Sequence, residues 1–170
     1  MKLYHKFAIL ANLVHNVSIV SKLSNLLNKK SSQNFSPNGY ICEQYQISEL
    51  GDLNNDSVGK FGESLAKKYL ENSGYKIIET NTHKRFGEID IVAQSNGKTI
   101  FCEVKTRTSD RFGSAVESLT HTKKKRILRM IRYYCLKNRI PDGNIRADFV
   151  AIQIDGDIAE LKHFKGIELM

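Results

Sequence analysis

The 170-residue chain has no tryptophan and only three cysteines. Without tryptophan no sugar-binding aromatic platform is evident, which counts against a glycosidase built on the acid pair described below. The cysteines, Cys42, Cys102 and Cys135, are odd in number and show neither CxxC nor Cys/His spacing. They argue against a disulfide framework or a zinc site and for a reducing, cytoplasmic compartment. Long apolar runs are missing too. Asn12, His15, Asn16, Ser18 and Lys22 interrupt the N-terminal hydrophobic residues, whereas a spanning helix needs roughly 18 near-continuous ones. The run Phe7 to Ala11 behind Lys2 and Lys6 is too short for the core of a signal peptide, and no clean cleavage site follows it. Between Ser118 and Pro141 there is no acidic residue at all.

Positive charge is plentiful. A net charge of +8 suits a polyanionic partner, and the length allows one domain plus an extension. Phe7, Leu10, Leu13, Val14, Val17, Val20, Leu23 and Leu27 fall at helical steps. Residues 1–28 are therefore expected to form an amphipathic helix for docking a partner, with membrane-surface contact as the rival reading. Residues 29–56 read as a polar linker with brief structure around Tyr40 to Tyr45, and residues 57–170 as the domain proper.

The domain is organised around Gly87 to Arg107. Two β-branched, apolar-rich runs flank Asn96-Gly97, the strongest short-range hairpin signal. With those two residues as the loop, Ser95 faces Lys98, Ala93 faces Ile100, Asp90 faces Glu103 and Glu88 faces Lys105. Alternation puts Glu88, Asp90, Val92, Phe101, Glu103 and Lys105 on one face and Ile89, Ile91, Ala93, Ile100, Cys102 and Val104 on the other. Both faces are apolar for part of their length, so the sheet is expected to be covered on both sides. Carboxylates at the edge of a buried layer raise each other's pKa. A divalent cation between Asp90 and Glu103 would remove the conflict, because Mg²⁺ takes oxygen ligands, often one or two carboxylates plus phosphates. Lys105, on the same face, could orient water or neutralise phosphate. The plainer reading is a solvated charge ladder pairing Glu88 with Lys105.

Upstream, Val58, Phe61, Gly62, Leu65 and Tyr69 form a helix stripe widened by Ala66 and Leu70, and Gly74 stops it. Glu63 on its flank reads as a surface acid helped by the helix dipole. Tyr75 to Thr80 reads as a strand. Downstream, Thr120 or Thr122 caps a basic helix whose apolar stripe is Ile127, Leu128, Ile131, Tyr134 and Cys135. Lys123, Lys124, Lys125, Arg126, Arg129 and Arg132 crowd the rest, and a phosphate backbone would relieve their self-repulsion. Arg85 and Arg107 are further phosphate candidates, since guanidinium grips phosphate oxygens bidentately. His83 either contacts a phosphate or is merely exposed, and Tyr133 either packs or stacks on a base. Arg146 to Ile154 is a strand, and Asp155-Gly156 turns it into another from Ile158 to Phe164. Asp148 either supports the acids from behind or ends its strand.

Gly87-Glu88-Ile89-Asp90, a turn and Glu103-Val104-Lys105-Thr106-Arg107 resemble the YraN-like family of bacterial proteins, a branch of the restriction-endonuclease-like PD-(D/E)XK nuclease superfamily. Gly59 to Glu63 and the Phe112-Gly113-Ser114-Ala115 segment are similar to the family's pattern as well. His83, where the family usually has arginine, and Ala147, where it has phenylalanine, depart from it. The resemblance implies an αβββαβ core with a mixed sheet flanked by helices. It implies Mg²⁺ or Mn²⁺ on Asp90, Glu103 and Glu63, with Lys105 completing the catalytic set and Lys123 near the cleft. The expected function is a metal-dependent nuclease hydrolysing phosphodiester bonds in DNA, branched or damaged DNA included, with Arg85, Arg107, Lys123, Lys124, Arg126 and Arg129 holding the nucleic acid. The alternative is a nucleic-acid-binding module that keeps the fold and no longer cuts.

Overall fold

Asn96 and Gly97 turn the chain with φ of 50° and 74°, the left-handed pair that a type I′ hairpin requires. The computed structural model containing this turn describes residues 34–35, 39–47, 55–108 and 115–170. The amphipathic pattern of residues 1–28 lies outside them. Two strands come first, β1 (Asn34–Phe35) and β2 (Tyr40–Gln46). Helix α1 (Asn55–Asn72) leads into β3 (Lys76–Lys84), β4 (Gly87–Ser95) and β5 (Lys98–Arg107). A short 3₁₀ turn at Val116–Ser118 precedes α2 (His121–Asn138), and β6 (Ile145–Asp155) and β7 (Ile158–Phe164) close the chain. From α1 onward this is the expected succession: helix, three strands, helix, two strands. No helix among the described residues is long and apolar enough to cross a membrane.

The described residues make one seven-stranded sheet in the order β1-β2-β7-β6-β5-β4-β3. Every neighbouring pair is antiparallel except β5 and β6. A parallel pair needs a crossover, and α2 supplies it. One face carries Ile91, Ala93, Ile100, Cys102 and Val104 against Phe61, Leu65, Tyr69 and Leu70 of α1. The opposite face carries Val92 and Phe101 against Ile127, Met130, Ile131 and Tyr134 of α2. Burial on both sides explains why these strands read as nearly continuous apolar runs. The stretch expected to be a linker contributes more than brief structure. Tyr40–Gln46 pairs residue for residue with Ile158–Phe164, and Tyr45 and Ile47 are buried in the α1-side core. Alternation of Glu43 and Tyr45 with exposed Gln44 and Gln46 is the strand signal, masked in sequence by the polar composition around it.

Gly62 sets how closely α1 approaches β5. A Cβ at Gly62 would lie 1.7 Å from Thr106 Oγ1 and 2.9 Å from Thr106 Cβ. Rotating the threonine side chain leaves its Cβ in place, so the helix itself would have to shift. Gly62→Ala is expected to lower stability by about 1–3 kcal/mol, as overpacking does. A Cβ at Gly59 meets nothing within 4 Å. Gly59→Ala should therefore be neutral or stabilising by up to about 1 kcal/mol, from helix propensity. Denaturant unfolding of the two variants tests the contrast, and equal effects would dismiss close packing at Gly62.

Thr120 caps α2, its hydroxyl accepting the Lys123 N–H at 3.3 Å. The buried stripe is Ile127, Met130, Ile131, Tyr134 and Cys135. Leu128, expected in it, is only half-buried, and Met130 takes the central place. Tyr133 packs edge-on against Phe86 with ring centroids 5.4 Å apart. Asp148 neither ends a strand nor reaches the hairpin acids. It lies inside β6, fully buried, bound to Arg146 and His163.

Candidate active site

The hairpin register runs as expected from Ser95↔Lys98 to Ile91↔Cys102 and then stops. Beyond that point the Asp90 side chain, not its backbone, meets β5, accepting the Val104 N–H at 2.7 Å. On its other side β4 pairs with β3 at Thr80↔Ile91 and Thr82↔Ile89, and Asn81 between them has φ 55°. This irregularity breaks strict alternation. Ile89, expected beside Ile91, packs instead in the α2-side cluster. The parted strands open a cleft of about 430 Å³, bounded by the first turns of α1 and by Lys123 of α2. Glu63, Asp90, Glu103, Lys105, Arg107 and Lys123 all line it. Residues from two strands and two helices, separated by up to sixty positions, thus line one cleft.

Asp90 and Glu103 are 8 % and 5 % exposed. Burial raises the Asp90 pKa, with Glu88 adding to it, while the Val104 N–H, Lys123 and a hydrogen bond with Glu103 pull against them. Glu103 is pushed up to about 8, first by burial and then by Asp90, with Lys123 opposing. Lys123 Nζ lies 2.7 Å from Glu103 Oε1. Burial works to lower the Lys123 pKa, but Glu103, Asp90 and Glu88 together raise it. Glu103 Oε2 is buried, and no hydrogen-bond donor among the described residues reaches it. Glu63 is half-buried on the cleft rim, and its pKa is raised by burial and then by Asp90.

An orphaned buried carboxylate oxygen beside a second buried acid fits a hard divalent cation, which would replace the missing donor. Mg²⁺ commonly takes one or two protein carboxylates and fills its octahedron with water and phosphate oxygens. Asp90 and Glu103 meet that requirement. Among the described residues no three His, Cys, Asp or Glu side chains gather into a metal-holding group, so Glu63 lines the cleft without closing a three-acid cage.

Of the cations, Arg107 and Lys123 line the cleft. Lys105 does too, half-buried and without an ion-pair partner among the described residues. Arg85 is exposed on the β3–β4 turn, and Arg126 and Arg129 are exposed on α2, with Lys124 half-buried beside them. The Glu88–Lys105 ladder does not form: Glu88 meets His83 Nδ1 at 3.1 Å instead. Because the ladder ends at Ile91, Glu88 is left to the β3 side. His83 and Glu88 are both well exposed. The cleft contact least legible in sequence is Lys123 with Glu103, since it joins α2 to β5 across a fold-dependent gap. Its trace in sequence is a lysine in the first turn of a helix, where the dipole disfavours it.

Comparison with known proteins meets this geometry. A UPF0102 protein of Alkaliphilus oremlandii is 40% identical over 113 residues, covering 65% of this chain and 97% of that protein. One from Persephonella marina is 40% identical over 105 residues, 62% of this chain and 90% of its own length. One from Clostridioides difficile is 39% identical over 102 residues, 60% of this chain and 90% of that protein. The pattern described as "Uncharacterised protein family UPF0102" matches residues 62–152, a span that takes in both acids, Glu63 and every lysine and arginine of the cleft. The chain therefore belongs to the UPF0102 family, the YraN-like group that its hairpin resembles.

Proposed function

We propose that the chain is a metal-dependent phosphodiesterase acting on DNA rather than RNA, built on the PD-(D/E)XK nuclease plan with its αβββαβ core. The carrying observation is the convergence of Asp90 and Glu103 in a buried cleft with Glu103 Oε2 left without a donor among the described residues. Asp90 and Glu103 would hold Mg²⁺ or Mn²⁺, with Glu63 assisting from α1. Such a cation would stabilise the charge that develops on the scissile phosphate, where electrostatics supply most of the rate. Lys105 orients the attacking water from the side of the acid pair. Arg107 and Lys123 receive phosphate oxygens in the cleft. Arg85 and the α2 cations Lys124, Arg126 and Arg129 hold the flanking backbone, so binding weakens steeply with added salt.

The test is incubation of the purified protein with nicked, branched and single-stranded DNA in Mg²⁺ or Mn²⁺. Cutting is expected from the wild type and not from Asp90→Ala or Lys105→Ala. Cutting that persists in both variants would remove these residues as its source. One observation favours a second reading: the Lys123 ammonium already neutralises Glu103, as it would in a binding module that holds no metal. Salt-sensitive DNA binding with neither cleavage nor Mg²⁺ uptake would select that reading.

A further inference from the structure

Lys123 stands between two cavities. One is the acid cleft. The other, about 340 Å³, shares Glu103, Lys105, Arg107 and Lys123 with the cleft and is lined besides by Glu117, Ser118 and Thr120. Arg107, which lines both, has its Nε buried with no acceptor among the described residues. Lys123 is about a third exposed (32%), against 5% for its partner Glu103, so its end can leave the carboxylate without crossing the core. A lysine stem is long and flexible enough for that move.

The position of Lys123 is unfavourable as helix chemistry. Lys123, Lys124, Lys125 and Arg126 follow one another in the first turns of α2, with no acid there. That is the positive end of the helix dipole, where cations are disfavoured. Departures from local rules mark functional positions. Glu103 satisfies one of these charges from inside the cleft. A divalent cation on Asp90 and Glu103 would compete with it for the same carboxylate, since two positive charges a few ångströms apart in a half-buried cleft repel each other.

We propose that Lys123 is an exchangeable counter-ion: it neutralises Glu103 while the acid pair holds no cation, and turns to a phosphate of the bound strand when a divalent cation takes its place. The proposal rests on the metal-dependent reading above and adds a coupling to it. Cation and phosphate each favour the arrangement that the other needs, so each strengthens the other's binding. Lys123 is a positioning residue in this scheme, and Lys105 and Arg107 are the groups it joins around the anion.

Titration calorimetry of Mn²⁺ into the full-length protein at pH 8.5 tests the exchange. Lys123→Met is expected to bind Mn²⁺ about tenfold more tightly than the wild type, a coupling of ordinary size. Lys125→Met, an exposed charge loss on the same turn, should match the wild type. Ca²⁺ should raise the affinity for a short labelled single-stranded DNA severalfold in the wild type and clearly less in Lys123→Met. Lys123→Gln serves as the second neutral variant should methionine perturb folding. Unchanged or weaker Mn²⁺ binding in both neutral variants overturns the exchange. If the wild type still binds Mn²⁺ more tightly than Asp90→Asn, that failure is confined to Lys123. If the wild type binds no better than Asp90→Asn, the metal reading falls and the exchange with it.

Discussion

Glu103→Gln is expected to abolish divalent-cation binding and to cut any nuclease rate by about 10²–10³-fold or more, the scale for losing one preorganised electrostatic group. The same substitution should make the protein more stable above neutral pH. Glu103 is raised from 4.5 to about 8 by burial and by Asp90, and Asp90 is raised as well, by burial first. Between these values the folded protein holds a proton that the unfolded chain has released. The stability this gives is complete below about pH 4.5 and is lost as pH rises through about 8. Wild-type thermal stability should therefore fall across that window by the equivalent of a few kcal/mol. Glutamine cannot ionise, so the variant should show a flatter profile. Adding millimolar Mg²⁺ should restore the wild type at high pH and leave the variant unmoved. Parallel pH profiles for the two proteins would refute the assignment of Glu103 as the strained acid.

Asp148→Ala is the other large effect, with about 3–5 kcal/mol of stability expected to go, the cost of leaving buried charge uncompensated. Asp148 Oδ1 accepts from Arg146 Nε at 2.7 Å and from the Gly166 N–H at 3.0 Å. Its Oδ2 meets Arg146 Nη2 at 2.7 Å and His163 Nε2 at 3.0 Å. The network extends from His163 Nδ1 to the Tyr69 hydroxyl at 3.1 Å and from Arg146 to the Tyr75 hydroxyl at 2.9 Å. Burial alone would raise the Asp148 pKa, but the His163, Arg146 and Gly166 donors outweigh it and hold it below the usual carboxylate range. Alanine leaves a fully buried imidazole and a partly buried guanidinium without the carboxylate they share, each with only a tyrosine hydroxyl remaining. Urea unfolding gives the loss, and a change under about 1 kcal/mol would contradict a buried pair. Mn²⁺ affinity of the folded variant should stay at the wild-type level, because none of these groups lines the cleft.

What could be read from residues alone was the part with short-range cause. Asn96-Gly97 dictates its own turn, and the turn dictates the register as far as Ile91↔Cys102, one step short of Asp90 and Glu103. The stripe from Val58 to Leu70 and the Thr120 cap are equally local. The misses are long-range. Met130 outranks Leu128 because α2 is rotated to seat over Phe101 and Val92, a rotation set by the sheet. Ile89 changes sides where the β4–β5 ladder has ended at Ile91 and Asn81, on another strand, takes a left-handed conformation, features that no local pattern announces. Asp148 was ambiguous because its partners, Arg146, His163 and Gly166, include two that lie beyond a further hairpin. Lys123 could be placed near the cleft only by family likeness, and its pairing with Glu103 needed the helix in position.

Strand β2 has a consequence for anyone preparing a shorter protein. It lies outside the span shared with the family pattern, residues 62–152, yet it occupies the outer side of β7 along seven consecutive positions. A fragment trimmed to begin at α1 would strip that side and expose a row of unsatisfied amide and carbonyl groups. Such an uncovered margin recruits other chains by strand addition. Precipitation of the trimmed fragment would then report a missing neighbour for β7 and say nothing about the catalytic cleft.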